Sequence, residues 1–319
     1  MEEFKLINTY FASLATSNPS AKKLKDDVFF DKSRGVVISI DTYNEGVHFL
    51  NFKKPYLVIK KILRSSISDL ICKGVKPKYY FISASGNKSL FLKSQIKSIV
   101  KCLKYEQKKF DIKISGGDTS SSKKCTFTIV SLGYSKKIVE RNKAAPYDDI
   151  YVSGNLGDSF LGLKLLNNKF KLNNKLKSYF IDKYYSPDLP YKLIKLFNKF
   201  ANSSIDVSDG LFDDLKKLIY TQNLSFKINI DKIPISKNLS NFLKIKKKDK
   251  INFIFHGDDY QTLFTAKKKD RDKIFSLSKK MNHKVTIIGE ILPKKGRNHI
   301  FSAKKVFKLS KYKGYSHIF

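Results

Sequence analysis

Short apolar, β-branched runs alternate with longer segments of helical period along nearly the whole chain, and this intermixing restricts the fold more than any other feature. Gly35 to Ile40, Tyr79–Ser83, Ile112–Ser115 and Thr126–Leu132 read as strands. From Pro55, a favoured first helical residue, Leu57, Ile59, Leu63, Ile67, Leu70 and Ile71 carry an apolar pattern to Gly74, a helix with its stop signal. A second helix is expected over Leu90–Tyr105. Residues 2–17, with Phe4, Ile7, Phe11 and Leu14 near a 3.6 period, predict an amphipathic helix whose stripe packs into the core, ended by Asn18-Pro19-Ser20. After the polar stretch Asn142-Lys-Ala-Ala-Pro146, Asp149–Ser153 opens a second strand–helix series, with later strands at Ser204–Val207, Phe226–Ile230, Leu263–Ala266, Val285–Ile288 and His299–Phe301. The fold class is therefore α/β (α+β), without short repeats, and the 319 residues suit two domains, 1–143 and 144–319.

The chain carries 63 Lys and Arg against 28 Asp and Glu, a net charge of +35, yet is 41% hydrophobic, as a folded enzyme is. Arg occurs only at 34, 64, 141, 271 and 297, and the lysines recur in nearly every block. Dispersed lysines argue for a general surface bias over a dedicated nucleic-acid face, because base readout favours the Arg fork. The run Leu6 to Ala21 is too short and too polar to span a membrane. The opening Met1-Glu2-Glu3-Phe4 does not resemble a secretory signal. Cys72, Cys102 and Cys125 form neither a disulfide framework nor a thiolate metal site. A reduced, cytoplasmic protein is expected, with no membrane partner.

The scarce acidic residues are chosen unevenly: only six are Glu, and the remaining 22 are Asp. Five segments stand out: Lys25-Asp-Asp27, Ser39-Ile-Asp-Thr42, Ser68-Asp69, Ser115-Gly-Gly-Asp-Thr119 and Ile205-Asp-Val-Ser-Asp-Gly210. Each places Asp near the end of an apolar run, where a rigid element can aim a carboxylate into a cleft. Magnesium takes oxygen ligands and commonly bridges carboxylates to substrate phosphates, so convergence of these Asp suits a nucleotide–metal site. Singly, each also has a structural reading: Asp69 or Asp209 as a helix cap, Gly116-Gly117 as an ordinary turn. There is no GxxxxGK[ST] loop, no protein-kinase HRD or DFG, no HExxH and no GxSxG, which removes support for Walker-type ATPases, protein kinases, zinc hydrolases and serine hydrolases.

The order of these segments resembles one family. Asp26-Asp27, Asp41-Thr-Tyr-Asn-Glu-Gly-Val-His-Phe49, Ser68-Asp-Leu70, Gly116-Gly-Asp-Thr119, Tyr151-Val-Ser-Gly154 with Leu156-Gly157, Ile205-Asp-Val-Ser-Asp-Gly-Leu211 and Gly257-Asp-Asp-Tyr260 resemble thiamine-monophosphate kinase, over nearly the whole chain to Gly314-Tyr315. The DTxxEGVHF segment is the most specific. GGDT and the Asp-rich pieces are shared with the wider aminoimidazole-ribotide synthetase and selenophosphate synthetase superfamily. The resemblance implies magnesium-dependent transfer of the γ-phosphoryl group of ATP to thiamine monophosphate, giving thiamine diphosphate and ADP. It implies magnesium ligation by Asp27, Asp41, Asp69, Asp118, Asp206 and Asp209, with Ser39 and Ile40 nearby, the latter through its backbone. Gly117, Asp118, Arg141 and Ser208 would meet the nucleotide, and His48, Asp258 and Tyr315 the thiamine side. It further implies two α/β domains and a homodimer formed through the N-terminal sheet.

The chemistry supports that division. The acceptor is a phosphate monoester whose second pKa is about 6, so its attacking oxygen is already largely deprotonated and no general base is needed. The task is to hold two polyanions in line, which calls for metal ions and placed cations. Arg141 suits a bidentate phosphate contact or an ordinary surface role; His48 and Tyr315 also suit simple packing. The sequence departs from the family at Lys25, where Gly is usual, at Ser120-Ser121-Ser122, where Arg-Gly is frequent, and at Asp258, where Glu is usual. Two other readings stay open: another ATP-dependent enzyme of the same superfamily, and a basic nucleic-acid-binding protein.

Overall fold

The structure is a computed structural model that describes residues 3–88, 91–294, 296, 298–303, 305–308 and 314–315. Its first segment departs from the expected amphipathic helix. Glu2 lies outside the described residues; helix α1 (Glu3–Leu6) passes into a π-helical turn at Ile7–Phe11 and a 3-10 turn at Ala12–Ala15. The stripe does not enter the core as expected: Phe11 and Leu14 are 48% and 76% exposed. Polar side chains in this stretch bond to the backbone and compete with a regular helix, as when Asn8 Nδ2 donates to Phe4 O at 2.8 Å and Thr16 Oγ1 to Ser13 O at 2.7 Å. Asn18 then caps Ser20 N at 3.2 Å, with Pro19 between them, and ends the segment.

The first sheet contains β1 (Phe29–Asp31), β2 (Val36–Asn44), β3 (Pro77–Gly86), β4 (Lys113–Ser121) and β5 (Thr126–Tyr134), in the order β1-β2-β5-β3-β4. Only β3 and β4 run parallel, joined by the crossover helix α3 (Lys93–Phe110); the expected start of that helix, Leu90, lies outside the described residues. Along β5, Phe127, Ile129 and Ser131 are buried, whereas Thr128, Val130 and Leu132 alternate to the other face. That other face stays open, with Ile40 66%, Phe81 36% and Tyr134 56% exposed. Strand β4 continues to Ser121, so Gly116-Gly117 belong to a strand edge and not to a turn.

The second sheet follows Asn142–Pro146. Its strands are β6 (Asp149–Ser153), β7 (Ser203–Asp206), β8 (Leu224–Asn229), β9 (Thr262–Ala266), β10 (Val285–Pro293), β11 (His299–Phe301) and β12 (Val306–Phe307), in the order β12-β11-β8-β10-β6-β9-β7. Helices α4 (Asp158–Leu166), α5 (Asn174–Tyr185), α6 (Ile194–Phe200), α7 (Leu211–Leu218), α8 (Lys237–Ile245), α9 (Ile251–Ile254) and α10 (Arg271–Lys280) surround it. The observed class is mixed α/β with two sheets, in agreement with the sequence.

Helix α2 (Pro55–Cys72) ties the two sheets together. Its Val58, Ile59, Ile62, Leu63, Ile67 and Ile71 are fully buried in one cluster that also holds Phe127 and Ile129 of the first sheet and Tyr184, Phe197 and Phe264 of the second half. Each such side chain contributes about 1.5–3 kcal/mol on burial. A helix buried on all sides carries its polar residues into the interior too. Arg64 forks onto Glu106 of α3 (Nε to Oε2 2.8 Å, Nη2 to Oε1 2.9 Å) and donates to Ser186 Oγ and Pro187 O. Asp69, in the last turn of α2, therefore opens onto the junction between the sheets.

Candidate active site at the junction of the two sheets

Two cavities of about 710 and about 810 Å³ meet at this junction and share a wall made by Ile40, Asp41, Asp69, Asp206, Ser208 and Asp209. Period-two alternation turns Ser39 and Asp41 of β2 toward α2, where the Ser39 hydroxyl donates to Asp69 Oδ2. One residue earlier on α2, the Ser68 hydroxyl donates to Asp206 Oδ2 at the end of β7. The loop that follows carries Ser208 and Asp209 into α7, whose N-terminus is capped by Asp214: the N–H groups of Asp209 and Gly210 donate to its Oδ2 at 3.1 and 2.9 Å.

The carboxylates fall into two electrostatic groups. Burial, then the neighbouring Asp206 and Asp27 charges, push the Asp41 carboxyl up to about 7. Burial and Asp27 likewise raise Asp206 to about 6, and burial with Asp41 and Asp206 holds Asp69 well above the usual range. These three meet hydroxyl donors and, among the described residues, no cation within ion-pair distance. Asp27 behaves oppositely: burial pushes it up, but Arg141 and Lys73 outweigh that and bring it down to about 2. Lys73 Nζ lies 2.7 Å from both Asp26 Oδ1 and Asp27 Oδ2, and Arg141 Nη2 lies 3.4 Å from Asp27 Oδ1. Lys217 pairs with Asp209 and, at 3.2 Å, with Asp214.

The cavities differ in character. The larger has Asp27, Arg141 and Lys217 beside Phe4, Ile7, Phe11 and Leu24 of the N-terminal segment. The smaller is lined by Tyr43, His48, Phe160, His256, Asp258, Tyr260 and Tyr315. His48 Nδ1 accepts from Asn44 N at 3.0 Å and its ring meets Tyr43 edge-on. Tyr315 is anchored through its N–H to Asp209 O at 3.0 Å. His256 stacks on Phe160 with ring centroids 3.5 Å apart, and burial, then Lys164, lowers it to about 4, so the imidazole is neutral at pH 7. Gly257 fits only because it lacks a side chain: a Cβ there would lie 1.7 Å from Ser208 O, so the loops bearing Ser208 and Asp258 touch backbone to backbone.

The structure thus gathers Asp27, Ser39, Ile40, Asp41, Asp69, Arg141, Asp206, Ser208 and Asp209 around one cavity, and His48, Asp258 and Tyr315 around the other. It does not bring Gly117 and Asp118 to either; they sit on the exposed edge strand β4. Sequence reasoning missed Lys73, Lys217, Phe160 and His256. For Lys73 a signal existed, since it lies one helical turn beyond Asp69 and is followed by the helix-stopping Gly74. Among the described residues no group of three or more His, Cys, Asp or Glu side chains is arranged to hold a metal ion by itself. Asp41, Asp69 and Asp206 are an oxygen-only donor set, the type a hard cation takes, with each carboxyl raised by burial and by neighbouring carboxylates.

Comparison with known proteins agrees with this architecture. Family models described as AIR synthase related protein, N-terminal domain, and AIR synthase related protein, C-terminal domain, match residues 25–135 and 146–301, which places the chain in that two-part class. The thiamine-monophosphate kinase of Buchnera aphidicola subsp. Schizaphis graminum is 34% identical over 325 residues, covering 99% of this chain and 98% of that protein. The solved structure "AaThiL complexed with AMPPCP and TMP" superposes with a TM-score of 0.85 at 28% identity, covering 99% of this chain and 97% of that one. Thiamine monophosphate kinase from Aquifex aeolicus gives 0.80 at 27% identity, with coverage of 96% and 97%. The chain belongs to the thiamine-monophosphate kinase family.

Proposed function

We propose that this chain transfers the γ-phosphoryl group of ATP directly and in line to thiamine monophosphate, releasing thiamine diphosphate and ADP. The observation that carries this reading is the acidic wall shared by two cavities, one bordered by Arg141 and Lys217 and the other by aromatic rings. The relative of similar fold that holds AMPPCP and TMP supports the pair of substrates. Nucleotide in the first cavity and thiamine monophosphate in the second would place donor and acceptor phosphates on opposite sides of Asp41, Asp69, Asp206 and Asp209.

Magnesium would be held by Asp27, Asp41, Asp69, Asp118, Asp206 and Asp209, with Ser39 and the Ile40 backbone beside them. When bound there, it offsets the mutual repulsion of two phosphate chains. Arg141 and Ser208, with Gly117 and Asp118, would orient the nucleotide. His48, Asp258 and Tyr315 would orient thiamine monophosphate. No side chain is needed as general base, because the acceptor oxygen, with a second pKa of about 6, is largely deprotonated at neutral pH. The stacked Phe160 and neutral His256 offer π faces to a cationic heterocycle without adding a like charge.

The functional unit in this reading is a homodimer formed through the first sheet. Ile40, Phe81 and Tyr134 give its outer face an apolar surface, and β4 leaves one edge unpaired among the described residues. Association there accounts for Gly117 and Asp118 lying away from both cavities of their own chain. We place the enzyme in the cytoplasm; among the described residues no helix is long and apolar enough to cross a membrane. The direct test is product formation from ATP, magnesium and thiamine monophosphate. A folded preparation that makes no thiamine diphosphate, or hydrolyses ATP equally well without the acceptor, defeats the proposal.

A further inference from the structure

Helix α2 delivers a buried ammonium to the rim of the second cavity. Lys61 is 1% exposed, yet its Nζ lies 2.8 Å from Asp258 Oδ1 and 3.7 Å from the centroid of the Tyr184 ring. The Tyr260 hydroxyl donates to the same oxygen, Asp258 Oδ1, at 3.0 Å. The Asp258 side chain is 29% exposed and lines the cavity. A lysine taken out of water is penalised in its charged form, and burial lowers its pKa against the opposing pull of Asp258.

The loop bearing Asp258 is held in an unusual shape. Asp258 and Tyr260 both have left-handed backbone, φ 69 and φ 50, although neither is glycine. Such residues persist where their surroundings over-determine them. Here the N–H of Asp258 donates to Ser208 O at 2.9 Å and that of Tyr260 to Val207 O at 2.9 Å. The backbone of the loop is thereby tied to the Ser208 loop, and its carboxylate to α2.

We propose that Lys61 is a positioning residue for substrate recognition: by holding Oδ1 of Asp258 it turns Oδ2 into the second cavity to meet the cationic, amine-bearing heterocycles of thiamine monophosphate. The inference rests on the reading of Asp258 as a substrate-side residue. Lys61 touches no substrate itself. Its effect passes through one carboxylate and therefore falls on the acceptor substrate and not on the nucleotide.

The test is a double-mutant cycle of Lys61→Met and Asp258→Asn in the full-length protein, with KM for thiamine monophosphate, KM for ATP, kcat and melting temperature measured for each. Loss of this close ion-pair contact should raise KM for thiamine monophosphate about 10- to 100-fold in either single variant and leave KM for ATP within about 2-fold. The double variant should be scarcely worse than Asp258→Asn alone, because both changes remove the same contact. If Lys61→Met does not fold, Lys61→Gln removes the charge but keeps a donor in the interior, and must show the same split between the two KM values. Asp258→Asn raising KM for thiamine monophosphate while the Lys61 variants leave it unchanged, or while the two effects multiply in the double variant, overturns the positioning role and leaves the substrate reading of Asp258 intact. An Asp258→Asn variant with unaltered KM for thiamine monophosphate overturns that substrate reading, and the positioning role with it. A Lys61 effect equal on both KM values marks a structural ion pair and also refutes the proposal.

Discussion

Asp41→Asn should make the metal-free protein more stable at pH 8 while sharply reducing phosphoryl transfer. Burial and the neighbouring Asp206 raise the Asp41 carboxyl to about 7, against an ordinary value of 3.8. At 1.36 kcal/mol per pH unit, a shift of about three units sets a ceiling of about 4 kcal/mol. Asp41 lies on a cavity wall and titrates together with its neighbours, so water and coupling reduce the expected effect to about 1–2 kcal/mol. The sign follows from linkage. A carboxyl whose folded pKa is raised gives the fold stability that is complete below the unfolded pKa near 3.8 and is lost as pH climbs through about 7. Asn carries no charge at any of these pH values and avoids the loss. Thermal melts in chelator should show the variant ahead by several degrees at pH 8, and the difference should shrink toward pH 4.5. Magnesium should raise the melting temperature of the unaltered protein more than that of the variant, and product formation should fall at least about tenfold in the variant. A variant less stable than the parent at pH 8, by the same amount as at pH 4.5, would refute the idea that Asp41 sits in a like-charge cluster awaiting a cation.

Other expectations follow from the packing. Glu106→Gln leaves the Arg64 guanidinium, 2% exposed, buried without its counter-charge, and urea unfolding should report a loss of about 3–5 kcal/mol; a loss under about 1 kcal/mol would show the pair to be solvated. Gly257→Ala drives a Cβ to within 1.7 Å of Ser208 O, so turnover should drop about tenfold or more, and unchanged kinetics would contradict the contact between the two substrate loops. Phe81→Asp puts a charge on the open face of the first sheet; sedimentation should show a dimer reduced to monomer with activity falling in parallel, whereas an active monomer would refute the proposed assembly. Asp27→Asn removes the partner of Lys73 and Arg141, so unlike Asp41→Asn it should lower the melting temperature at pH 8.

The sequence was most legible where local pattern and tertiary role coincide. Strands β6 and β11 fall on their expected residues, and α2 begins at Pro55 and stops before Gly74 as its signals require. The extension of β4 through Gly116-Gly-Asp-Thr119 was not legible, because it depends on parallel pairing with β3, a contact between residues far apart in the chain and unmarked in a Gly-rich segment. The helix expected over 2–17 is present as successive α, π and 3-10 turns over 3–15, but its stripe is not buried as expected: Phe11 and Leu14 stay exposed. In the site, the Asp-bearing segments were visible as motifs. Their cations were less so: beyond the one-turn spacing of Lys73 from Asp69, nothing in a chain so rich in lysine distinguishes Lys61 or Lys217 until the fold sets them beside carboxylates.

Those buried cations explain why a strongly basic protein can keep an acidic cleft. Lys73, Arg141 and Lys217 are the ion-pair partners of the outer members of the cluster, Asp26, Asp27 and Asp209; Asp214 also meets Lys217, yet burial pushes its carboxyl up to about 8. Among the described residues the inner members, Asp41, Asp69 and Asp206, have no ion-pair partner; Ser39 and Ser68 donate to Asp69 and Asp206, and burial with neighbouring carboxylates raises all three. A fully neutralised cluster would have little affinity for a cation, and a wholly unneutralised one would oppose folding. The division leaves a carboxyl-rich centre inside a rim of ion pairs, open on two sides to the two cavities. Surface lysines, spread over the whole chain, then favour the approach of polyanionic substrates without occupying the centre. The lysines are spread over the surface and the aspartates gathered in the cleft, so the same lysine excess that suggested a nucleic-acid partner is compatible with a phosphotransferase.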